Sequence, residues 1–375
     1  MPDRSGTEMS TMVRTVPSYQ VRDRLVSSGR VKRIGFLTFG HWQNAPGSRT
    51  PTARDALVQT IELAEAAEEI GIDGAYVRVH HWARQLASPF PLLAAIAART
   101  SRIEMGTAVI DMRYENPLYM AEEAAATDLI SGGRLQLGVS RGSPEPALRG
   151  YEEFGYVAGD DVTDADSARA RTAMFRAAIA GAGIARADTG RPDSTAMLAI
   201  QPQSPGLGDR IWWGAGTRAT AVWAAQQGMN LQSSTLLTED TGVPFAQLQA
   251  EQIALYRSAW LEAGWERTPR ISVSRSVIPI VTDEDRRYFG GRRELSDQIG
   301  HIDGGIARFG RSYVGEPDVI AEELSRDVAV QEADTVLLTV PNQLGVEYNA
   351  RMLETIARHV APAFGWQPAG APDAA

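Results

Sequence analysis

Cysteine is absent from the 375 residues. That excludes disulfides, thiolate metal sites and cysteine nucleophiles. Histidine is scarce, at five residues, so a metal centre built on several imidazoles has little to draw on. No apolar run approaches the roughly 20 residues of a membrane-spanning helix. Positive charge is not in surplus: 37 Lys and Arg stand against 46 Asp and Glu, a net charge of −9. A chain without a basic excess is not built to neutralise nucleic-acid phosphates or an anionic membrane, so neither is expected as a partner. The first 30 residues are polar and Arg-bearing and lack the apolar core of a secretory signal. They read as a flexible arm, and a cytoplasmic location is expected.

What the chain does have is apolar residues, at 43%, in a pattern that alternates strand and helix. Strand-like runs fall at Ile34 to Phe39, Gly74 to His80, Ile103 to Ile110, Arg134 to Ser140, Ile211 to Ala215, Met229 to Ser234, Ile271 to Val281 and Thr335 to Val340. Most are followed by a helix-like segment. The clearest helix runs from Thr52 to Ile70, with Thr52 as its cap, Asp55 three residues on, Gly71 as terminator, and Leu57, Ile61, Ala64 and Ala67 on one face. Apolar strands alternating with helices mean a parallel sheet buried on both faces. Eight repeats over this length favour a closed (β/α)8 TIM barrel over an open sheet. The expected organisation is an arm over 1–30, one barrel domain over 31–365 and a flexible tail over 366–375. Two connections are too long for turns, about 142–210 after the fourth strand and 282–315 after the seventh. Long loops inside a compact fold are usually lids or binding loops.

The richest stretch is Ile103 to Gly142. A branched apolar strand ends in Asp111-Met112-Arg113-Tyr114, and a helix opens at Pro117 and stops at Gly132-Gly133. A second strand then delivers Ser140-Arg141-Gly142. Polar groups at the C-terminal ends of parallel strands are where such enzymes keep their chemistry. Read as residues alone, several motifs stay open. His80-His81 closes the second strand, and adjacent strand residues face opposite ways, so at most one reaches the barrel mouth. Gly106-Thr107-Ala108-Val109 suits a planar ring stacked across the mouth, or ordinary barrel packing. Arg141 suits a phosphate or a surface ion pair with Glu145 or Glu152. Gly216, Thr217 and Thr220 follow the fifth strand and open a helix, where backbone N–H groups and hydroxyls meet an anion or simply make a turn. His41 and Tyr114 follow the first and third strands and are candidates for the substrate pocket. Arg275 lies within a strand, where a charge needs a partner or a ligand. Gln232, Ser233 and Ser234 end the sixth strand, within reach of a ring edge.

The chain resembles the luciferase-like flavin monooxygenases, a family that includes bacterial luciferases and deazaflavin-dependent dehydrogenases. The matching pieces are Gly106-Thr107-Ala108-Val109, Ala121-Glu122-Glu123, Asp128-Leu129, Ser131-Gly132-Gly133-Arg134 and Gly138-Val139-Ser140-Arg141-Gly142. The resemblance implies a TIM barrel binding FMN across its C-terminal mouth. Reduced FMN, delivered by a separate flavin reductase, and molecular oxygen would oxygenate a small organic substrate, and the chain would form a homodimer. It implies a ring platform at Thr107, Ala108 and Val109, with a cis Ala108–Val109 bond, and phosphate ligands at Gly216, Thr217 and Thr220 with Arg218 as a helper. It implies catalytic roles for His80, Ser140 and Arg141, the last two also touching the cofactor. Two departures stand out: Ser140 replaces a luciferase cysteine, and Val79 replaces the glutamate of a Glu-His-His motif, which removes a carboxylate beside His80. The alternatives are a deazaflavin-dependent dehydrogenase or reductase, a non-catalytic flavin-binding protein, and a metal-dependent hydrolase using His80 or His81 with Asp111. No metal is expected.

Overall fold

The computed structural model describes residues 32–368 apart from 158, 160–161, 192–193, 240, 292–296 and 303–304; the side chains of 299–302 and 305–306 are also left undescribed. The predicted arm, over 1–30, lies outside the described residues, as do the last residues of the predicted tail. Trp366, placed by sequence in that tail, is buried, and its Nε1 donates to Asp73 at 2.7 Å.

Eight parallel strands close a barrel: β1 (Arg33–Thr38), β2 (Gly74–Val77), β3 (Glu104–Asp111), β4 (Leu135–Ser140), β5 (Ile211–Ala215), β6 (Asn230–Ser233), β7 (Ile271–Pro279) and β8 (Thr335–Thr339). Each pairs with the next in chain order, and β8 returns to β1. The outer helices are α1 (Ala53–Ile70), α2 (Pro89–Arg99), α3 (Pro117–Ser131), α4 (Asp164–Ile179), α5 (Arg218–Gln226), α6 (Phe245–Glu262), α7 (Asp283–Phe289), α8 (Pro317–Ser325), α9 (Val328–Glu332) and α10 (Val346–His359). The barrel strands are buried almost throughout, as expected for strands covered on both faces. No helix among the described residues is long and apolar enough to cross a membrane.

Local rules explain α1 well. Thr52 and Asp55 form a reciprocal capping box, and Gly71 takes the left-handed conformation at φ 99° that ends the helix. Its buried stripe differs from expectation. Ala56, Thr60, Leu63, Ala64 and Ala67 face the barrel while Leu57 is exposed. The buried stripe is made mostly of small residues, so Leu57, expected on that face, falls outside it while Ala64 and Ala67 lie within it. In α3, Leu129 likewise points outward, whereas Ala121, Ala124 and Ala125 pack inward.

The two long connections are structured. After β4 come a short 3₁₀ turn at Gly150–Phe154, α4, and an antiparallel hairpin of Gly183–Arg186 with Met197–Ala199. After β7 come α7, a hairpin of Gln298–Ile302 with Gly305–Phe309, and a ninth strand, Ser312–Gly315, that extends β7 outside the closure. The second hairpin also pairs with Leu236–Leu237, which ties this insertion to the loop after β6. At the N-terminal end, the barrel interior is filled by Glu104, which receives both Nη atoms of Arg270 at 2.9 and 3.0 Å.

A candidate active site at the barrel mouth

The β3–β4 register shifts between Thr107 and Ile110, so one extra residue is accommodated in β3 at the point where the Ala108–Val109 bond is cis. Bulges of this kind re-aim side chains next to functional sites. Here Ala108 and Val109 line a cavity at the C-terminal mouth of the barrel. Gly214 of β5 lies beside them: a Cβ there would stand 3.0 Å from a Val109 methyl and 3.3 Å from Ser140 Cβ. The result is a floor of small groups. Thr107, by contrast, is fully buried and outside the cavity lining. Its Oγ1 donates to Gly138 O at 2.7 Å, and its carbonyl accepts from Gln232 Nε2 at 3.1 Å. That holds Gln232 with its Oε1 buried, in the cavity wall, and without a hydrogen-bond partner among the described residues.

One end of the cavity is the turn from β5 into α5, where Gly216, Thr217 and Thr220 all line it. Thr217 and Thr220 form a reciprocal capping box with their hydroxyls 3.0 Å apart. Gly216 sits in open space, since an added Cβ would meet only Leu236 O at 3.9 Å. Arg218, the expected helper, is committed elsewhere. Its guanidinium pairs with Glu251 at 2.9 Å and Glu239 at 3.2 Å, and it is absent from the cavity lining. The cation that does line this end is Arg169 of α4, whose guanidinium lies over Trp223 at 4.9 Å. Sequence reasoning missed Arg169, because a helix in an insertion gives no sign of which strand end it covers. The N–H groups of Thr217 and Thr220 are taken by the capping box and that of Arg218 by Glu239, so this end of the cavity offers the two hydroxyls and the Arg169 guanidinium.

The other end is built where β2 and β4 finish. Ser140 is buried in the cavity wall and accepts from Gly142 N–H at 2.7 Å. Gly142 adopts φ +87°, and a Cβ there would lie 1.9 Å from an Asp111 carboxylate oxygen. Asp111 in turn is held by the Nε, Nη2 and backbone N–H of Arg113. Burial nonetheless raises its pKa above the ordinary carboxylate value. Arg113 continues to Asp164, which also accepts from Tyr151. Burial opposes ionisation of Asp164, yet these hydrogen bonds and the charges of Arg113 and Arg141 keep its carboxyl below the usual range. Arg141 is exposed and lines the cavity.

His80 does not line the cavity, but its two ring partners do. Arg78 Nε donates to His80 Nε2 at 3.1 Å, which leaves the ring proton on Nδ1, 3.0 Å from Glu145 Oε1. The expectation that His80 had lost its carboxylate is therefore corrected. Val79 is buried and apolar, but Glu145, from the loop after β4, reaches across β3 to supply one. Both ring nitrogens are engaged within the protein. The second strand stops at Val77, three residues short of the expected end, so His80 and His81 lie in the loop beyond it; His81 packs away from His80. It stacks on Tyr114 at 4.1 Å beside Phe154, and burial lowers its pKa. That contact takes Tyr114 out of the cavity lining. His41 is also outside it: its ring stacks on Phe39 at 5.5 Å in a neighbouring recess with Ser276 and Gln343. Arg275 serves structure, buried against Asp327 at 2.8 Å. No group of three or more His, Asp or Glu able to hold a metal occurs among the described residues, and His80 and His81 point apart.

A family model described as luciferase-like monooxygenase matches residues 33–324. N-acetyl-S-alkylcysteine monooxygenase of Bacillus subtilis (strain 168) is 23% identical over 79% of this chain and 90% of its own length. The oxygenase component of a flavin-dependent trigonelline monooxygenase from Acinetobacter baylyi is 32% identical over 29% of this chain and 30% of its length. The matches to the first curated relatives span between 24% and 30% of those proteins. Among solved structures, the oxygenating constituent of 3,6-diketocamphane monooxygenase from Pseudomonas putida, in complex with FMN, superposes with a TM-score of 0.62. It is 16% identical, over 88% of this chain and 98% of that one. At that identity the likeness speaks for the fold.

Proposed function

The chain belongs to the luciferase-like monooxygenase family, and from that premise we propose that it is a flavin-dependent monooxygenase that uses reduced FMN and molecular oxygen to oxygenate a small organic substrate. The observation that carries this reading is the cavity, which joins a phosphate-type turn to a flat floor of small residues around the cis Ala108–Val109 bond. In this reading Gly216, Thr217, Thr220 and Arg169 hold the flavin phosphate. Ala108, Val109 and Gly214 support the ring. Gln232, Ser233 and Ser234 line the cavity at the end of β6, beside the edge of such a ring. Arg141 steadies negative charge on the reduced ring, and Ser140 is a small hydroxyl neighbour. His80 is a positioning residue, which keeps Arg78 and Glu145 in register at the cavity wall.

Bound reduced FMN would supply the electrons that activate oxygen. The chain's part is to bind and orient it and to exclude water beneath the loops after β4 and β6. We further propose that a separate reductase provides the reduced flavin, a reading supported by the name of the trigonelline relative as an oxygenase component. A homodimer and a cytoplasmic location belong to the same proposal.

The test is an anaerobic titration of the purified protein with oxidised and reduced FMN and with oxidised and reduced deazaflavin, followed by flavin fluorescence. Reduced FMN should bind tightest. Exclusive deazaflavin binding would move the protein to hydride transfer without oxygen, and binding of neither would overturn the flavin reading.

A further inference from the structure

Arg78 brings a positive charge to the cavity wall without an acid to pair it. It follows directly on β2, its backbone N–H still bonded to Thr38 O at 2.9 Å. Tyr76, two residues earlier, packs on Leu37 and Leu337. Arg78 lies beyond it and lines the cavity together with Leu37, Ala108 and Leu337. Nε donates to His80 and Nη2 to Ser143 at 2.9 Å, and the guanidinium lies over the Phe39 ring at 5.4 Å. Nη1 bonds to no described residue, yet it is not sealed off: the side chain is part-buried, and the part left open faces the cavity. The two acids that share the wall are engaged elsewhere, Glu145 with His80 and Asp111 with Arg113. Burial therefore lowers the Arg78 pKa, opposed only by the Glu145 charge acting from a distance. Arg270, Arg113 and Arg275 are each paired with a carboxylate, Glu104, Asp111 and Asp327 in turn. A cation that is largely removed from water, lacks a counter-ion and borders a cavity is a place where an anionic ligand supplies what is missing.

We propose that Arg78 is a substrate-recognition residue whose Nη1 donates to a carboxylate on the small organic molecule to be oxygenated. The proposal rests on the flavin reading above and deepens it. In that reading the three arginines of the wall serve three anionic groups: Arg169 the phosphate, Arg141 the reduced ring and Arg78 the substrate. Position separates Arg78 from the cofactor. The phosphate turn follows β5 and the ring floor is built on β3 and β5, whereas Arg78 follows β2, beyond that floor on the side away from the turn. Charge selects the class. An ammonium group would enter against the guanidinium, and a neutral molecule would leave it uncompensated. A carboxylate brings both the acceptor that Nη1 lacks and the charge that the guanidinium lacks. Leu37, Ala108 and Leu337 beside it suit the hydrocarbon body of such a molecule.

The test uses protein loaded with reduced FMN under anaerobic conditions. It is titrated by calorimetry with carboxylates and their uncharged primary amides: benzoate and benzamide, phenylacetate and phenylacetamide, cyclohexanecarboxylate and cyclohexanecarboxamide. In at least one pair the carboxylate should bind about tenfold tighter than its amide, the worth of one charge-assisted hydrogen bond. In Arg78→Met this preference should vanish while reduced FMN affinity stays within about twofold, and that retained affinity shows the variant to be folded. Arg78→Lys keeps the charge without the planar fork. It should retain part of the preference, and it carries the test if Arg78→Met does not fold. Equal binding within every pair, or no binding by any carboxylate, overturns the proposal and leaves the flavin reading intact. A preference that persists in Arg78→Met places the carboxylate on another arginine and also overturns it. A loss of FMN affinity in both variants would assign the guanidinium to the cofactor, with the same result. Failure of the unaltered protein to bind reduced FMN would instead sink the reading beneath it.

Discussion

Two buried charge clusters on this barrel are made from similar parts and left in opposite states. Around β7, Arg275 and Asp327 are each 2% exposed. Asp327 accepts from Arg275 Nε and Nη2, Tyr313 Oη, and the backbone N–H groups of Ala329 and Val330. Arg275 Nη1 goes to Gln249 and to the Ser274 carbonyl. Around β2, Arg78, His80 and Glu145 form a similar chain, but it stops one hydrogen bond short at Glu145 Oε2. Burial alone does not separate structural from functional charge. Saturation distinguishes the two clusters, because a closed network has nothing left to offer a ligand.

The widest separation between the clusters should appear in stability. Asp327→Ala leaves a buried guanidinium without its carboxylate and should cost about 3–5 kcal/mol, read as a shift in the urea midpoint. A paired replacement, Arg275→Met with Asp327→Leu, should recover most of that loss, because it removes both charges together. The Asp327 carboxyl is held below its ordinary value: burial opposes this, and the Arg275 charge and the hydrogen bonds outweigh it. Its stabilising contribution is therefore complete above the unfolded carboxylate pKa and is lost as the pH falls through the lower folded value. Glu145→Gln, in contrast, alters a carboxylate that holds one hydrogen bond where Asp327 holds five, so its midpoint should shift less than that of Asp327→Ala. An equal shift there would erase the distinction.

A smaller effect sharpens the same contrast at the turn before α5, where one arginine is saturated and another is available. Arg169→Ala should weaken reduced FMN binding about tenfold, the loss of one charge-assisted phosphate contact. Arg218→Ala should leave affinity unchanged, because Glu239 and Glu251 already occupy that guanidinium. Thr217→Val should fall between the two, weakening the cofactor's turn and the helix cap together. Equal losses in Arg169→Ala and Arg218→Ala would show that saturation is a poor guide here.

The fold was readable because its signals are local. Strand periodicity, the Thr52–Asp55 capping box and the glycine at the end of α1 all lie within a few residues of what they determine. The small-residue floor and the turn at Gly216 were readable for the same reason. Glu145 and Arg169 were not, since each belongs to an insertion that must fold back over a strand end it does not follow. Glu145 was visible only as a partner for Arg141, and Val79 made His80 look bereft of a carboxylate that in fact comes from 65 residues away. His41 and Tyr114 do follow strand ends. Being near a strand end put them close to the mouth, but stacking on Phe39 and His81 takes their rings out of the cavity.

The smallest effect concerns the paired histidines, and it follows from the burial of one of them. His81 is packed against Tyr114 and Phe154, and its Nε2 is buried without a partner among the described residues. Burial lowers its pKa; Glu145 works weakly against that, and His80 adds to it. A histidine depressed in the folded state takes up its proton more readily when unfolded, so folding loses stability as the pH falls below the unfolded value of about 6.5. The thermal midpoint should therefore decline between about pH 7 and 5.5, and His81→Phe should flatten that decline while keeping the aromatic stack. If His81→Phe left the decline in place, the buried ring against Tyr114 would not be its source.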